Sequence, residues 1–372
     1  MTLEASLRLA LFRSACYTSS IMTIRGIDLF CGGGGSSWGA RAAGIEMVGA
    51  VDAWDMAAAT YRCNFPNAKV AQTRLSRRSS GDLLGDIGRV DLVLASPECT
   101  NHTPARGRRP KDEGSRATAF HVLKFIREMD PRWAVIENVI QMQSWERYSN
   151  FLKALKKHMY VTERVLDAQD FGVPQTRRRL FLICSKDGPP DPPRPLTGNR
   201  RTILDVLAPT GTYKTRPLFG SGLAEPTIAR AKRAIDVLGR GVPFLIVYYS
   251  SDGAGGWQQV DRPIRTLTTL DRFGLVQWIA GEPRMRMLQV DELQRAMGFS
   301  SDYLLSQGSR RDKIKLLGNG VCPPVMQQIV TTLTGSIASK SPVSLADTKT
   351  TQPLGSISTK RPLTTIELAP TP

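Results

Sequence analysis

Histidine is nearly missing from this sequence: His102, His121 and His158 are the three in 372 residues. A histidine-based metal centre or catalytic triad is therefore not expected. Cysteine is sparse too, at positions 16, 31, 63, 99, 184 and 322, with no C-x-x-C spacing. That argues against zinc and against a disulfide framework, and fits a reducing cytosol. No apolar run is long enough to cross a bilayer, so no membrane partner is expected. Acidic residues are short by comparison with basic ones, 33 against 50, which leaves a net charge of +17. Such a balance calls for an extended anionic partner, most simply nucleic acid, unless it is only a solvated basic surface. Residues 1–22 are interrupted by Arg8 and Arg13 and lack a clean cleavage site, so they read as a disordered extension ahead of a start at Met22, and not as a signal peptide.

What is present, from Thr23 onward, is apolar strand alternating with amphipathic helix. Strands are expected at 24–30, 47–51, 91–95, 133–136 and 180–184, with helices from about Ser37 and at 53–64, 117–129 and 148–158. This spacing predicts an α/β protein with a doubly wound sheet, whose ligands lie beyond the carboxyl ends of the strands. After Lys186 the run Gly188-Pro189-Pro190-Asp191-Pro192-Pro193 ends that pattern and marks a boundary. Residues 187–305 then mix helices at 227–238 and 290–297 with short strands at 243–248, 264–269 and 275–279, which suits a smaller α+β domain. The segment 306–334, with a helix at 324–333, is expected to return to the large domain (23–186), and 335–372 to form a disordered tail.

The residues that carry chemistry fall at strand ends. Asp28-Leu29-Phe30-Cys31-Gly32-Gly33-Gly34-Gly35 ends the first strand and opens a helix, a turn that lets a cofactor approach the backbone. Nicotinamide, flavin and S-adenosylmethionine folds all use such a turn, and so does a plain tight loop. The second strand ends in Asp52-Ala53-Trp54, an acid for ribose hydroxyls and an indole for an adenine face. Asp86-Ile87 offers a further carboxylate. Each of these acids could instead be a helix cap.

Ala95-Ser96-Pro97-Glu98-Cys99-Thr100 is the tip of a buried strand turning into a loop. Cys99 is a nucleophile candidate if a neighbour activates it, because a free thiol at about 8.5 is only a few per cent thiolate at neutral pH. Its alternative is a small buried apolar residue. Glu137 ends the strand 133–136, where desolvation can keep a carboxyl protonated, or where it is simply a solvated loop acid. Arg177 and Arg179, in Gln175-Thr176-Arg177-Arg178-Arg179, offer guanidinium forks or an exposed basic run. The loop Arg106-Gly107-Arg108-Arg109-Pro110-Lys111 is expected to close over DNA and touch phosphates, its alternative being a merely solvated loop. Tyr248 to Trp257 has the make-up of a base-reading loop or of a plain long hairpin loop.

In this order the segments resemble the cytosine-5 DNA methyltransferase family: Phe-x-Gly-x-Gly-Gly at Phe30 to Gly35, Pro-x-Cys at Pro97 to Cys99, Glu137-Asn138-Val139, Gln175-x-Arg177-x-Arg179, and Gly318-Asn319-Gly320-Val321. The resemblance covers about residues 24–333. It implies a Rossmann-like methyltransferase sheet with an inserted target-recognition domain, S-adenosylmethionine as methyl donor, and a flipped-out cytosine attacked at carbon 6 by Cys99. It further implies that Glu137 holds the cytosine edge, that Arg177 contacts the base and Arg179 supports the pocket. Phe30, Gly32, Gly34, Gly35, Asp52, Trp54, Asp86, Ile87, Asn319, Gly320 and Val321 would surround the cofactor. The partners implied are double-stranded DNA and a cognate restriction endonuclease, for a monomer in the cytoplasm. Two departures stand out. Glu98 and Thr100 flank the cysteine where the family has Pro and Gln, and a carboxylate beside a thiol disfavours the thiolate unless it points away. Ala53 also separates Asp52 from Trp54. Rival readings are the same chemistry on RNA, a silent DNA-binding relative, and, last, a nicotinamide-dependent oxidoreductase.

Overall fold

Leu92-Val93-Leu94-Ala95 is apolar and buried at every position, which a strand covered on both faces allows. In the computed structural model this strand lies at the centre of a seven-stranded sheet. The structure describes residues 23–99, 101–102, 112–198, 200–220, 222–249 and 255–338.

The first half of the sheet alternates as expected: β1 (Arg25–Leu29), α1 (Gly35–Ala42), β2 (Glu46–Asp52), α2 (Asp55–Asn64), β3 (Lys69–Gln72) and β4 (Leu92–Ala95). Then come α3 (Glu113–Arg116), α4 (Ala119–Met129), β5 (Trp133–Asn138), α5 (Tyr148–Lys156), β6 (Tyr160–Asp167), β7 (Gln175–Thr176) and β8 (Arg178–Ser185). Strand order is β3-β2-β1-β4-β5-β8-β6. The first five strands run parallel, and β8 lies antiparallel between β5 and β6. Connections turn to opposite sides between β1 and β4, the place where α/β sheets open a crevice for ligands. The register sharpens this. Leu29 pairs with Val51 and with Ala95, and Ala95 with Ile136, so Phe30, Asp52, Ser96 and Glu137 emerge side by side at one edge. The core beneath is made by Ile27, Val93, Phe125, Ile126, Phe151 and Leu182, all buried.

The chain then builds a smaller five-stranded sheet from β9 (Arg216–Pro217), β10 (Phe244–Val247), β11 (Trp257–Gln259), β13 (Phe273–Ile279) and β14 (Glu282–Met287), in the order β11-β10-β13-β14-β9. Helix α6 (Glu225–Leu238) covers it through Ala231 and Ala234, over Phe244, Ile246 and Val276. Between the sheets, β12 (Ile264–Arg265) pairs with β7. Helices α7 (Val290–Ala296), α8 (Arg310–Asn319) and α9 (Pro323–Ala338) complete the described chain. None of its helices is long and apolar enough to cross a membrane.

Several elements differ from expectation. Strands β3, β6, β7, β9, β11 and β14 lie outside the expected set: edge strands such as β6, with Thr162, Glu163 and Arg164 half-exposed or exposed, lack an apolar pattern, β7 and β9 are two residues long, and the interior strand β14 carries Glu282, Arg284 and Arg286. Only Ile264–Arg265 of the expected strand 264–269 pairs. Residues 315–320 do not merely lead into a helix; they mostly finish α8, whose start was marked by a capping box in which Ser309 Oγ accepts from Asp312 N at 3.3 Å. Helix α9 runs past Leu333, with the Thr332 and Thr334 hydroxyls donating to the carbonyls of Gln328 and Val330, which satisfies them inside the helix. The expected extension 1–22 and residues 339–372 of the expected tail lie outside the described residues, as do the whole expected loop 106–111 and residues 250–254 of the expected loop 248–257.

Asp28 is fully buried within β1. One carboxylate oxygen accepts from Ser37 Oγ at 2.7 Å, and the other has no partner. Burial, only partly offset by that hydrogen bond, raises its pKa to about 7. A folded-state pKa above the unfolded value gives stability that is complete below about pH 4 and is lost as pH rises through 7. Comparing denaturation of Asp28→Asn and wild type at pH 5 and pH 8, the variant should gain about 2–3 kcal/mol on the wild type across that interval. A flat difference would show that Asp28 does not titrate there.

Candidate active site

Beyond the aligned strand ends lies a cavity of about 400 Å³. It brings together Cys99, Glu137, Arg177 and Arg179 with Phe30, Gly32, Gly35, Asp52, Trp54, Asn319, Gly320 and Val321. Residues separated by most of the chain meet there because α8 and α9 return to the large sheet. The return is tight. A Cβ on Gly35 would lie 2.3 Å from Val321 O, and one on Gly318 would lie 2.2 Å from Thr268 O. Phe30 takes a left-handed backbone, φ 57°, a conformation that a non-glycine residue keeps only where its surroundings enforce it.

The turn after β2 closes on the glycine turn. Asp52 accepts from Gly32 N and from Trp54 N, both at 2.8 Å. With Ala53 intervening, the carboxylate still reaches both turns. Burial raises its pKa against these two bonds. Trp54 packs on Met56 and Leu316, and Lys315 Nζ stands 4.4 Å from its ring centroid.

Three expected cofactor residues do not line the cavity. Gly34, at φ 84°, backs onto Tyr61 and Phe65 instead. Asp86 is exposed and accepts from Gly88 N at 3.1 Å within its own turn, while Ile87 is buried in the core. The reason is topological: β3 ends at Gln72, so Thr73, Arg74 and Leu75 take the place beside the β2 end and line the cavity. Sequence reading missed these because β3 is a short polar edge strand.

At the other end of the cavity, burial pushes the pKa of the Cys99 thiol up and the nearby Glu137 adds to it, while Arg179 and Arg177 pull the other way. Glu98 points away from the sulfur. It accepts from Arg74 Nη2 at 2.9 Å and from Ser115 Oγ at 2.7 Å. Asn138 Nδ2 donates to Pro97 O at 3.0 Å, so both ends of the segment before Cys99 are tied down. Glu137 is buried, which raises its pKa; Arg179 and Arg177 lower it in part. A carboxyl so placed keeps its proton to a higher pH and can donate it to a base edge.

The two arginines, both at the cavity, make different contacts. Arg179 Nε lies 3.3 Å from Glu137 Oε1, within the cavity. Arg177 is buried and spends its terminal nitrogens on backbone: Nη1 donates to Leu267 O at 2.9 Å, and Nη2 to Gly318 O and Gly320 O at 2.8 Å. It staples β7, the segment after β12 and the end of α8, an arrangement that no local pattern signals. Replacing it with Met leaves three carbonyls without their donor. Urea denaturation of Arg177→Met should show a loss of about 3–5 kcal/mol; a loss under about 1 kcal/mol would mean that water replaces the staple.

A glycine-rich turn, a thiol, a buried carboxyl and a guanidinium around one cavity, on a parallel sheet closed by a reversed strand, define a Rossmann-like methyltransferase fold. A Spodoptera frugiperda DNMT2 variant shares that fold, with a TM-score of 0.62 at 17% identity over 84% of this chain and 99% of its own. The sequence model of the C-5 cytosine-specific DNA methylases matches residues 24–207. The type II methyltransferase M.AquIA of Picosynechococcus is 30% identical over 44% of this chain and 72% of its own. The chain belongs to the C-5 cytosine-specific DNA methylase family. M.XorII of Xanthomonas oryzae is 33% identical over 49% of this chain and 45% of its own length. The chain spans about half the length of several curated relatives that it matches.

Proposed function

We propose that this chain transfers a methyl group from S-adenosylmethionine to carbon 5 of cytosine in duplex DNA, with Cys99 as nucleophile. The observation that carries the reading is that Cys99, Glu137 and Arg179 share a cavity with the glycine-rich turn and Asp52. The cavity fits a nucleoside cofactor: its volume lies in the usual ligand range of about 300–1,000 Å³, Gly32 leaves open space where a Cβ would stand, and the Asp52 carboxylate and Trp54 ring border it. When bound, S-adenosylmethionine supplies an electrophilic methyl group.

The protein's own residues prepare the acceptor. Carbon 5 of cytosine is a poor nucleophile until the Cys99 thiol gives its proton to solvent, the thiolate bonds to carbon 6 and the electron pair of the 5,6 double bond moves toward carbon 5. Glu137 meets the ring nitrogen and amino edge as that charge develops, and Arg179 fixes its carboxyl. When carbon 5 later gives its proton to solvent, the carbon–sulfur bond breaks, the ring double bond returns and the thiol is regenerated. The target atom is inaccessible in a duplex, so the base must be flipped out at a cost of a few kcal/mol. We assign 187–305 as the target-recognition domain, in line with its own five-stranded sheet and with the pairing of its β12 to β7 of the large domain. The net charge of +17 supports a nucleic-acid substrate, and a type II restriction partner and a cytoplasmic site accord with it.

The test is methyl transfer from labelled S-adenosylmethionine to unmethylated duplex DNA and, separately, to transfer RNA, followed by bisulfite sequencing of the DNA. Label in DNA, at one short motif, is expected. Label in RNA alone, or none from folded cofactor-binding protein, would overturn the reading.

A further inference from the structure

A second cavity, about 220 Å³, opens between the loop after β3, one face of α4 from Phe120 to Arg127, and Arg147 just before α5. Four cationic side chains converge on it, Arg77, Lys124, Arg127 and Arg147, together with Ser76 and His121. Lys124 has Glu128 at 3.5 Å and Arg147 has Glu113 at 3.5 Å, but neither acid lines the cavity. Arg77 and Arg127 pair with no carboxylate among the described residues. The Nδ1 atom of His121 is buried there without a hydrogen-bond partner. Burial holds the His121 pKa below its usual value, and Arg77 and Arg74 depress it further, so the ring stays neutral among cations. Like charges gathered in a concave site repel one another, and among the described residues no carboxylate lines the cavity.

We propose that this cavity binds a phosphate group. Guanidinium forks match phosphate oxygens with paired hydrogen bonds, a neutral imidazole and the Ser76 hydroxyl add donors without charge, and the space is several times the roughly 30 Å³ of a water molecule. Two sources offer this chemistry: a backbone phosphodiester of duplex DNA, and free inorganic phosphate. The position favours DNA. Arg77 follows Arg74, which holds Glu98 at 2.9 Å beside Cys99, and α4 follows the segment 100–112 that leaves Cys99. The DNA source rests on the function proposed above; the phosphate chemistry does not.

The experiment uses the full chain as wild type, as Arg77→Glu/Arg127→Glu, and as a control, Lys69→Glu/Lys157→Glu, that changes net charge equally at exposed positions elsewhere. Duplex affinity is measured across a salt series, and inorganic phosphate is titrated by ³¹P NMR. If the cavity holds a backbone phosphate, the cavity variant loses about tenfold or more in duplex affinity, and its log K against log salt slope falls by about 0.9 per lost contact, well beyond the control. If it holds free phosphate, the slope matches the control but the ³¹P response of the wild type disappears in the cavity variant. Affinity and slope equal to the control, with no phosphate response in any protein, would overturn the proposal. Should the wild type bind no duplex at all, the function proposed above fails while the phosphate titration still decides this one.

Discussion

Cys99→Ala should abolish methyl transfer, by at least about 10⁴-fold, while duplex DNA and S-adenosylmethionine still bind. The size follows from the chemistry. Without sulfur at carbon 6, carbon 5 has no route to enough electron density, and among the described residues no second thiol stands in: Cys184 and Cys322 are buried, Cys31 borders the cavity but is buried with its pKa pushed up by that burial, and Cys63, though half-buried, does not line the cavity. The substitution removes one atom at a half-buried position, so the fold should hold. Residual turnover within about tenfold of wild type would exclude Cys99 as nucleophile. The wild-type thiol has a signature of its own. Burial and Glu137 raise its pKa, so alkylation at Cys99, followed by mass spectrometry, should accelerate from pH 7 through about 8.5, where an ordinary thiol is half ionised, without levelling off. An early plateau would mean that the free protein already activates the thiol.

Glu137→Gln should lower kcat by about 10²–10³-fold with a much smaller change in KM for DNA. Gln keeps the shape and an acceptor for Arg179, so substrate binding is largely retained; what it loses is an acid proton to share as charge moves into the ring. The pH profile separates this role from a structural one. Because the Glu137 pKa is raised by burial, the wild type keeps the useful proton at low pH and loses it as pH rises through the raised value, which opposes the gain in thiolate. The profile should therefore turn over in wild type and climb steadily in the variant. Parallel profiles would leave Glu137 as packing only.

The two carboxylates at 98 and 137 make the same point about local and tertiary reading. Beside a thiol in sequence, Glu98 is expected to suppress it; in space it is turned toward Arg74 and Ser115. The carboxylate that does raise the Cys99 pKa is Glu137, 38 residues away in the chain and one strand away in the sheet.

Strand and helix alternation, the glycine turn and the ordered motifs were legible in the chain itself, because apolar periodicity and chain reversals are set by residues close in sequence. The sheet class and the grouping of Cys99, Glu137 and Asp52 at carboxyl ends followed from that. The strand order and register decided what local pattern cannot carry. They brought Thr73 to Leu75 instead of Asp86 to the cavity, turned Arg177 into a staple and Arg179 into the partner of Glu137, and seated α8 close enough to Thr268 that only glycine fits at position 318. Those outcomes rest on contacts between residues dozens to hundreds of positions apart, and such contacts are fixed by packing and backbone hydrogen bonding, not by the neighbours along the chain.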